Sequence, residues 1–179
     1  MEEQIDILDA KGNKIGKTKS KSLVHRHGDW HRTVHVWFLN SKRELLIQRR
    51  TSKKDRGGGM WDISVGGHIS AGQTSIEAAV REVSEEIGIT IEPSELTFLF
   101  GTSTDAELSN RKNQAKHFQD VYLVKKDLDV SKLVLQKEEV DEVRYISIEE
   151  FKKWVAEPKR DLLMHTEEYQ KLFEILSKI

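Results

Sequence analysis

The chain has 179 residues, 37% of them hydrophobic and 33% charged, with a formal net charge of −1. That length suits one domain with a substantial core, and the near-zero charge gives no reason to expect a nucleic-acid polymer or an anionic membrane as partner. There is no cysteine, which excludes disulfides, thiolate zinc sites and cysteine nucleophiles together.

The N-terminus, MEEQIDILDA, lacks the basic-then-apolar order of a signal peptide, and no apolar run exceeds four residues. The expectation is a cytoplasmic protein with no membrane span. In chain order, IDILDAKGNKIGKT reads as a hairpin around Gly12 and Asn13, and SKSLVHRHGDW as a short helix and loop. HRTVHVWFLN and ELLIQRR are β-rich runs joined by the turn SKR, a second hairpin. TSKKDRGGGM is a basic glycine-rich loop, and WDISVGGHI resumes as a strand that breaks at Gly66 and Gly67.

The next element is the best defined. Thr74 and Glu77 form a capping box that opens a helix near Ser75, and Gly88 suits the left-handed residue past its end. Ile76, Ala79, Val80, Val83 and Ile87 recur at helical spacing as a buried stripe. Strands follow at LTFLFGTST, FQDVYLV and EVRYISI. Ser147 and Glu150 make a second capping box for a helix through about Val155, and Pro158 interrupts. A last amphipathic helix from near Thr166 turns Tyr169, Leu172, Phe173 and Leu176 inward. Strands and helices are both needed, so the class is mixed α and β, a single domain over residues 1–179 with an N-terminal hairpin and a C-terminal helix appended.

The helix after the glycine turn carries the chemistry. Glu82 and Glu86 lie one turn apart on one side, with Glu85 bordering it, and Arg81 is four residues from both Glu77 and Glu85. Spacing turns Glu82 and Glu85 away from the apolar stripe and puts Glu86 at its edge. Such a cluster alone reads as a solvated face whose Arg–Glu pairs contribute about 0.2–0.5 kcal/mol each. Like charges one turn apart are nevertheless mildly destabilising unless neutralised, and a hard divalent cation would neutralise them. Gly66 and Gly67 let backbone approach closely, so a carbonyl can join as ligand.

Gly67, Arg81, Glu82, Val83, Glu85, Glu86, Gly88 and Ile89 resemble, all in register, the signature box of the Nudix hydrolases. A match at eight such points arises by chance on the order of once in a million chains of this length. The resemblance implies an α/β (mixed α+β) fold, a Nudix-type αβα sandwich with a mixed sheet. It also implies a metal-dependent hydrolase that cleaves a diphosphate linkage in a small, nucleoside-diphosphate-type substrate, with Mg²⁺ or Mn²⁺ as cofactor. By the match, Glu82, Glu85 and Glu86 are candidate metal ligands or general base, Arg81 orients them, and Gly66 offers a carbonyl to the metal. A further acid from outside the box has candidates in Asp105, Glu107, Asp120, Glu138 and Glu139. The family's first box glutamate falls here on Gln73, one negative charge fewer, which leaves a non-catalytic sensor of a diphosphate ligand as an alternative to the hydrolase.

QRRTSKKDRGGG supplies Arg49, Arg50, Lys53, Lys54 and Arg56 near glycines, either a phosphate clamp or a solvated loop. Trp30, Trp37 and Trp61 either stack on a base or fill the core. Nothing in the sequence sets the oligomeric state.

LLIQRRTSKKDRGGGMWDISVGGH is similar to the branch of the family that includes isopentenyl-diphosphate isomerase. The isomerase's catalytic cysteine matches Gly66 here, so one participant in its proton transfer is missing even if Asp120 supplies the other. His31 and His68 match metal-binding positions of the isomerase, with His25 or His27 near a third and His117 nearby. Read from the residues alone, His68 caps the glycine turn and His31 starts a strand.

Overall fold

In a computed structural model, residues 2–54, 57–105, 116–157 and 161–179 are described. Arg56, Glu107 and Pro158 lie outside them. Strands β1 (Gln4–Leu8) and β2 (Lys14–Ser20) pair as the expected N-terminal hairpin, followed by a short helix, α1 (Lys21–His27). A seven-stranded mixed sheet follows, formed by β3 (His31–Leu39), β4 (Glu44–Arg50), β5 (Trp61–Asp62), β6 (Val65–His68), β7 (Thr97–Asp105), β8 (Lys116–Lys125) and β9 (Val140–Ser147).

β3 runs parallel to β8 along its whole length and antiparallel to β6 from Thr33 to Val36. The expected second hairpin is narrow, because β3 and β4 pair only at Leu39 and Leu45 while β4 runs beside β9 instead. The strand expected to break at the glycines breaks earlier, between β5 and β6. The reason lies at Ser64. Its buried hydroxyl accepts from the Phe38 amide at 3.0 Å and donates to the Leu46 carbonyl at 2.5 Å, replacing ladder bonds with side-chain ones. Gly66 and Gly67 are ordinary members of β6, paired with His35 and Val34.

Alternation along β3 builds two cores, one on each face of the sheet. Val34, Val36 and Phe38 pack with Leu46, Val65 and Tyr122 against Ala78, Ala79, Val83 and Ile87 of α2 (Ser75–Ile87). Trp37 and Leu39 pack with Ile47 and Ile63 against Phe151 and Trp154 of α3 (Ile148–Ala156) and Tyr169, Leu172 and Leu176 of α4 (Thr166–Leu176). The result is the expected helix–sheet–helix sandwich. Phe173 is only partly buried against the second core.

The N-terminus of α2 has the complete capping box, and Gly88 closes its other end at φ 71° in the left-handed region. At α3 only half of the expected box forms: the Ser147 hydroxyl accepts from the Glu150 amide at 3.1 Å. The stripe on α2 also shifts. Ile76 is exposed and Ala78 buried in its place, which rotates the buried face toward Glu82 and Glu86. Among the described residues no helix is long and apolar enough to cross a membrane.

Candidate functional site

The rotation of α2 decides the site. Glu82 and Glu86 are both buried, at 8% and 4% exposure, whereas Glu85 is exposed. The expectation that Glu82 points away with Glu85 is therefore corrected: positions 79, 82, 83 and 86 form one face, turned toward the sheet. Gly67 makes room for it. A Cβ there would stand 1.9 Å from the Glu82 carboxyl carbon and 2.1 and 2.4 Å from its oxygens. The box glycine is needed for this close approach of backbone and carboxylate.

Arg81 spans the surface of the cluster. Its Nη1 lies 2.9 Å from Glu82 Oε1 and donates to Glu85 Oε2 at 2.9 Å, while Nη2 donates to the His68 carbonyl at 2.9 Å. The expected pairing with Glu77 does not form, because that carboxylate is spent on Thr74 in the capping box. Gln73 does not join the carboxylates. Its Oε1 accepts from the Ser70 amide at 3.3 Å and from Arg81 Nη2 at 3.4 Å.

Deeper in, Glu86 Oε2 accepts from Gln48 Nε2 at 3.1 Å and from the Gly66 amide at 3.3 Å. Gly66 thus meets the cluster through its N–H. Burial first, then the Glu82 charge, push the Glu86 carboxyl up to about 8. Glu82 is raised too, by burial and by Glu85 and Glu3, against the pull of Arg81. Both buried carboxylates resist ionisation even though Arg81 lies beside Glu82 and the Lys54 charge favours the ionised form of Glu86. A divalent cation would add further positive charge, and oxygen donors beside a glycine strand fit Mg²⁺ or Mn²⁺. Glu82, Glu85 and Glu86 are the residues that could hold it.

The basic residues divide. Burial and the Arg50 charge bring the Lys54 ammonium down to about 8 against the attraction of Glu86 and Asp62, and Lys54 also pairs with Glu139. Arg50 donates to Asp62 Oδ2 at 3.1 Å. Arg49 and Lys53 are exposed, and Arg49 is tied to the Gly59 carbonyl at 2.9 Å instead. The cause at Arg49 is strand alternation, which sends Gln48 and Arg50 to one face and Arg49 to the other. Of the acids outside the box, Glu139 reaches this region through Lys54, Asp120 is held by Arg32 at 2.7 Å, Glu138 is exposed and Asp105 ends β7 opposite Lys116. Trp37 is buried core, Trp30 stacks on Phe118 at 4.8 Å, and Trp61 carries the Arg144 guanidinium at 4.6 Å.

Sequence reading missed a buried network on the opposite face of the sheet. Glu168 on α4 accepts from Trp37 Nε1 at 2.8 Å and lies 2.7 Å from His35 Nδ1, and His165 Nε2 is 2.9 Å from Asp62 Oδ1. The partners are more than 100 residues apart in sequence, so no local spacing announces them. Burial would raise Asp62, but the His165 bond and the His165 and Arg50 charges hold it well below the ordinary carboxylate range. Burial would lower His165, but Asp62 raises it. The Asp62 contribution to stability is present above its unfolded value of about 3.9 and is lost as pH falls through its depressed folded value; the His165 contribution is full below about 6.5 and is lost as pH rises through its raised folded value. Urea denaturation of wild type and His165→Gln should therefore differ most between about pH 4 and 6.5, and the gap should shrink by pH 9. A gap that stays constant from pH 5 to 9 would show that the pair is not ionised.

The histidines assemble more closely than their sequence roles require. Ligand nitrogens of His25, His31 and His68 lie within 4.8 Å of one another, with His25 and His68 Nε2 3.0 Å apart. His31 Nδ1 is 2.9 Å from the Asp29 carbonyl, which places its proton on Nδ1, and the His117 ring centroid lies 5.7 Å from that of His31. Burial, then neighbouring positive groups, holds His68 and His117 below the usual imidazole range, in the neutral form that ligates metal.

The NUDIX domain family profile matches residues 29–166. Nudix hydrolase 3 of Arabidopsis thaliana is 38% identical over 180 residues, covering 98% of this chain, which spans only 23% of that protein's length. The Listeria monocytogenes Nudix hydrolase lmo0368 is 36% identical over 148 residues, 83% of this chain and 82% of the relative. An isopentenyl-diphosphate Delta-isomerase of Serratia proteamaculans is 36% identical over 92 residues, 51% of each chain. Among solved structures, DR0079 from Deinococcus radiodurans superposes with a TM-score of 0.72 at 20% identity over 98% of both chains. A bifunctional NMN adenylyltransferase/ADP-ribose pyrophosphatase from Francisella tularensis, complexed with AMP and a Mn ion, superposes at 0.55 and 20% identity over 82% of this chain and 41% of that one. With the box in register on a buried helix face and a family profile over most of its length, the chain belongs to the Nudix hydrolase family.

Proposed function

We propose that the protein is a metal-dependent hydrolase that cleaves the diphosphate linkage of a small nucleoside-diphosphate-type substrate. The observation that carries this reading is the pair Glu82 and Glu86, buried one turn apart on the helix face that meets Gly66 and Gly67, with both carboxylates resisting ionisation. Glu82, Glu85 and Glu86 would hold Mg²⁺ or Mn²⁺, which when bound would neutralise phosphate charge and make a water more acidic, and Arg81 orients Glu82 and Glu85 from outside. Lys54 and Arg50, on the Glu86 side, bind the phosphates. The Francisella structure, with AMP and Mn, supports a nucleotide half and a divalent ion. His25, His31 and His68 would hold a second, softer ion.

The test is product analysis on a panel of nucleoside-diphosphate derivatives with Mg²⁺ and with Mn²⁺. Cleavage between the two phosphorus atoms is expected, giving a nucleoside monophosphate. No product from any member with either ion would overturn the reading, and cleavage confined to non-nucleotide diphosphates would overturn its substrate half.

Isomerisation of isopentenyl diphosphate should be undetectable. The expectation rests on the missing thiol, since the nearest neighbours of a Cβ at position 66 would be the movable end of Ile63, Cδ1 at 2.9 Å, and then His35 Cδ2 at 3.4 Å. Conversion to the allylic isomer above background would contradict this.

A further inference from the structure

At Gln73 an amide stands where the box pattern expects a carboxylate. That amide approaches Arg81 Nη2 at 3.4 Å and the Ser70 amide at 3.3 Å. A carboxylate reaches the same two residues from elsewhere in the chain. Glu3 Oε1 accepts from the Ser70 hydroxyl at 2.7 Å and lies 3.6 Å from Arg81 Nη2. The approach is anchored by backbone. Ala71 N donates to the Gln4 carbonyl at 2.7 Å, Lys21 N to the Glu3 carbonyl at 2.9 Å, and fully buried Ile5 bridges Ser70. The Gly72 amide adds a bond to Asp6 Oδ2 at 3.2 Å. The N-terminal strand is thus docked on the turn that precedes the glutamate helix.

We infer that Glu3, from outside the family-matched residues 29–166, supplies to Arg81 the negative charge that position 73 lacks, and so acts as a positioning residue for the carboxylates Glu82 and Glu85. The guanidinium is a rigid planar fork. Its Nη1 contacts Glu82 and Glu85, while Nη2 contacts His68, Gln73 and Glu3, so whatever fixes Nη2 also fixes the direction of Nη1. An ionised acceptor holds a guanidinium edge more firmly than a neutral amide does. Nη2 donates to a backbone carbonyl and an amide oxygen, both neutral, while Glu3 forms an ion pair with it at 3.6 Å. The inference rests on the proposed reading of the box glutamates as metal ligands.

The test uses the full-length chain with Glu3→Gln, Gln73→Glu, the double variant and Ser70→Ala, with Mn²⁺ binding measured by calorimetry and by electron paramagnetic resonance. Glu3→Gln should weaken Mn²⁺ binding roughly tenfold, at the low end of effects of outer-shell partners. The double variant should return to within about twofold of wild type, because the charge is restored on the same nitrogen. Ser70→Ala cuts the Glu3–Ser70 bond and should leave Mn²⁺ affinity near wild type, which separates charge on Arg81 from mere docking of the strand. Unchanged affinity in Glu3→Gln, or a double variant as weak as Glu3→Gln, would overturn the inference. A wild type that binds Mn²⁺ but hydrolyses no diphosphate would sink the proposed function, and the Mn²⁺ affinities would still decide the role of Glu3.

Discussion

Glu86→Gln and Glu82→Gln are each expected to lower turnover of a diphosphate substrate by on the order of 10²- to 10⁴-fold, the range of a positioned acid–base or charge-stabilising group. The amide is nearly isosteric and still accepts the Gln48 and Gly66 hydrogen bonds at position 86, so packing is kept while the anionic oxygen is lost. The metal-free fold should not weaken. Burial and Glu82 already disfavour the Glu86 carboxylate, so removing its charge relieves a cost. The decisive comparison is kcat for both variants at saturating Mg²⁺, beside their melting temperatures without metal. Near-normal turnover by both would remove the box glutamates from the mechanism. Lost turnover accompanied by a collapsed melting temperature would show instead that the residues act through the fold.

Gly67→Ala should be nearly as damaging, although it adds only a methyl group. The new Cβ would fall 1.9 Å from the Glu82 carboxyl carbon, far inside contact distance. Either Glu82 leaves its buried place or β6 draws back from β3, where Gly67 pairs with Val34. The first outcome mimics loss of the carboxylate; the second costs about 1–3 kcal/mol, as overpacking typically does. Turnover should fall by at least about 10²-fold, comparable to removal of a single charge-stabilising group. Gly101→Ala is the matching control, since among the described residues its Cβ would come within 4 Å of the Gln119 carbonyl alone, at 3.8 Å. It should be close to neutral in turnover and in urea denaturation. Full activity in Gly67→Ala would mean that Glu82 need not sit on the strand for catalysis.

Burial also explains why the acidic cluster differs from an ordinary surface network. Exposed ion pairs contribute about 0–1 kcal/mol, and the Arg81–Glu85 pair is of that kind. Glu82 and Glu86 lie inside, where an ionised carboxylate is costly unless it is well compensated. The same face of α2 therefore serves the core through Ala79 and Val83 and carries the candidate site residues Glu82 and Glu86.

The sequence by itself determined the family, most of the element order and the placing of the glutamates on one capped helix, because these are written in short-range patterns. A capping box, a helical stripe, a left-handed glycine and eight box positions all fall within 23 residues, Gly67 to Ile89. Spacing along a helix, however, sets relative angles and leaves the absolute rotation open. Only packing against β3 and β6 exposed Ile76 and turned Glu82 inward. Long-range contacts were equally invisible. Gln48 meets Glu86 across 38 residues, His35 meets Glu168 across 133, and Glu3 reaches Arg81 from a separate hairpin. Such partners are chosen by strand register and docking, which depend on the whole core, so their joint electrostatics emerge only in the folded chain.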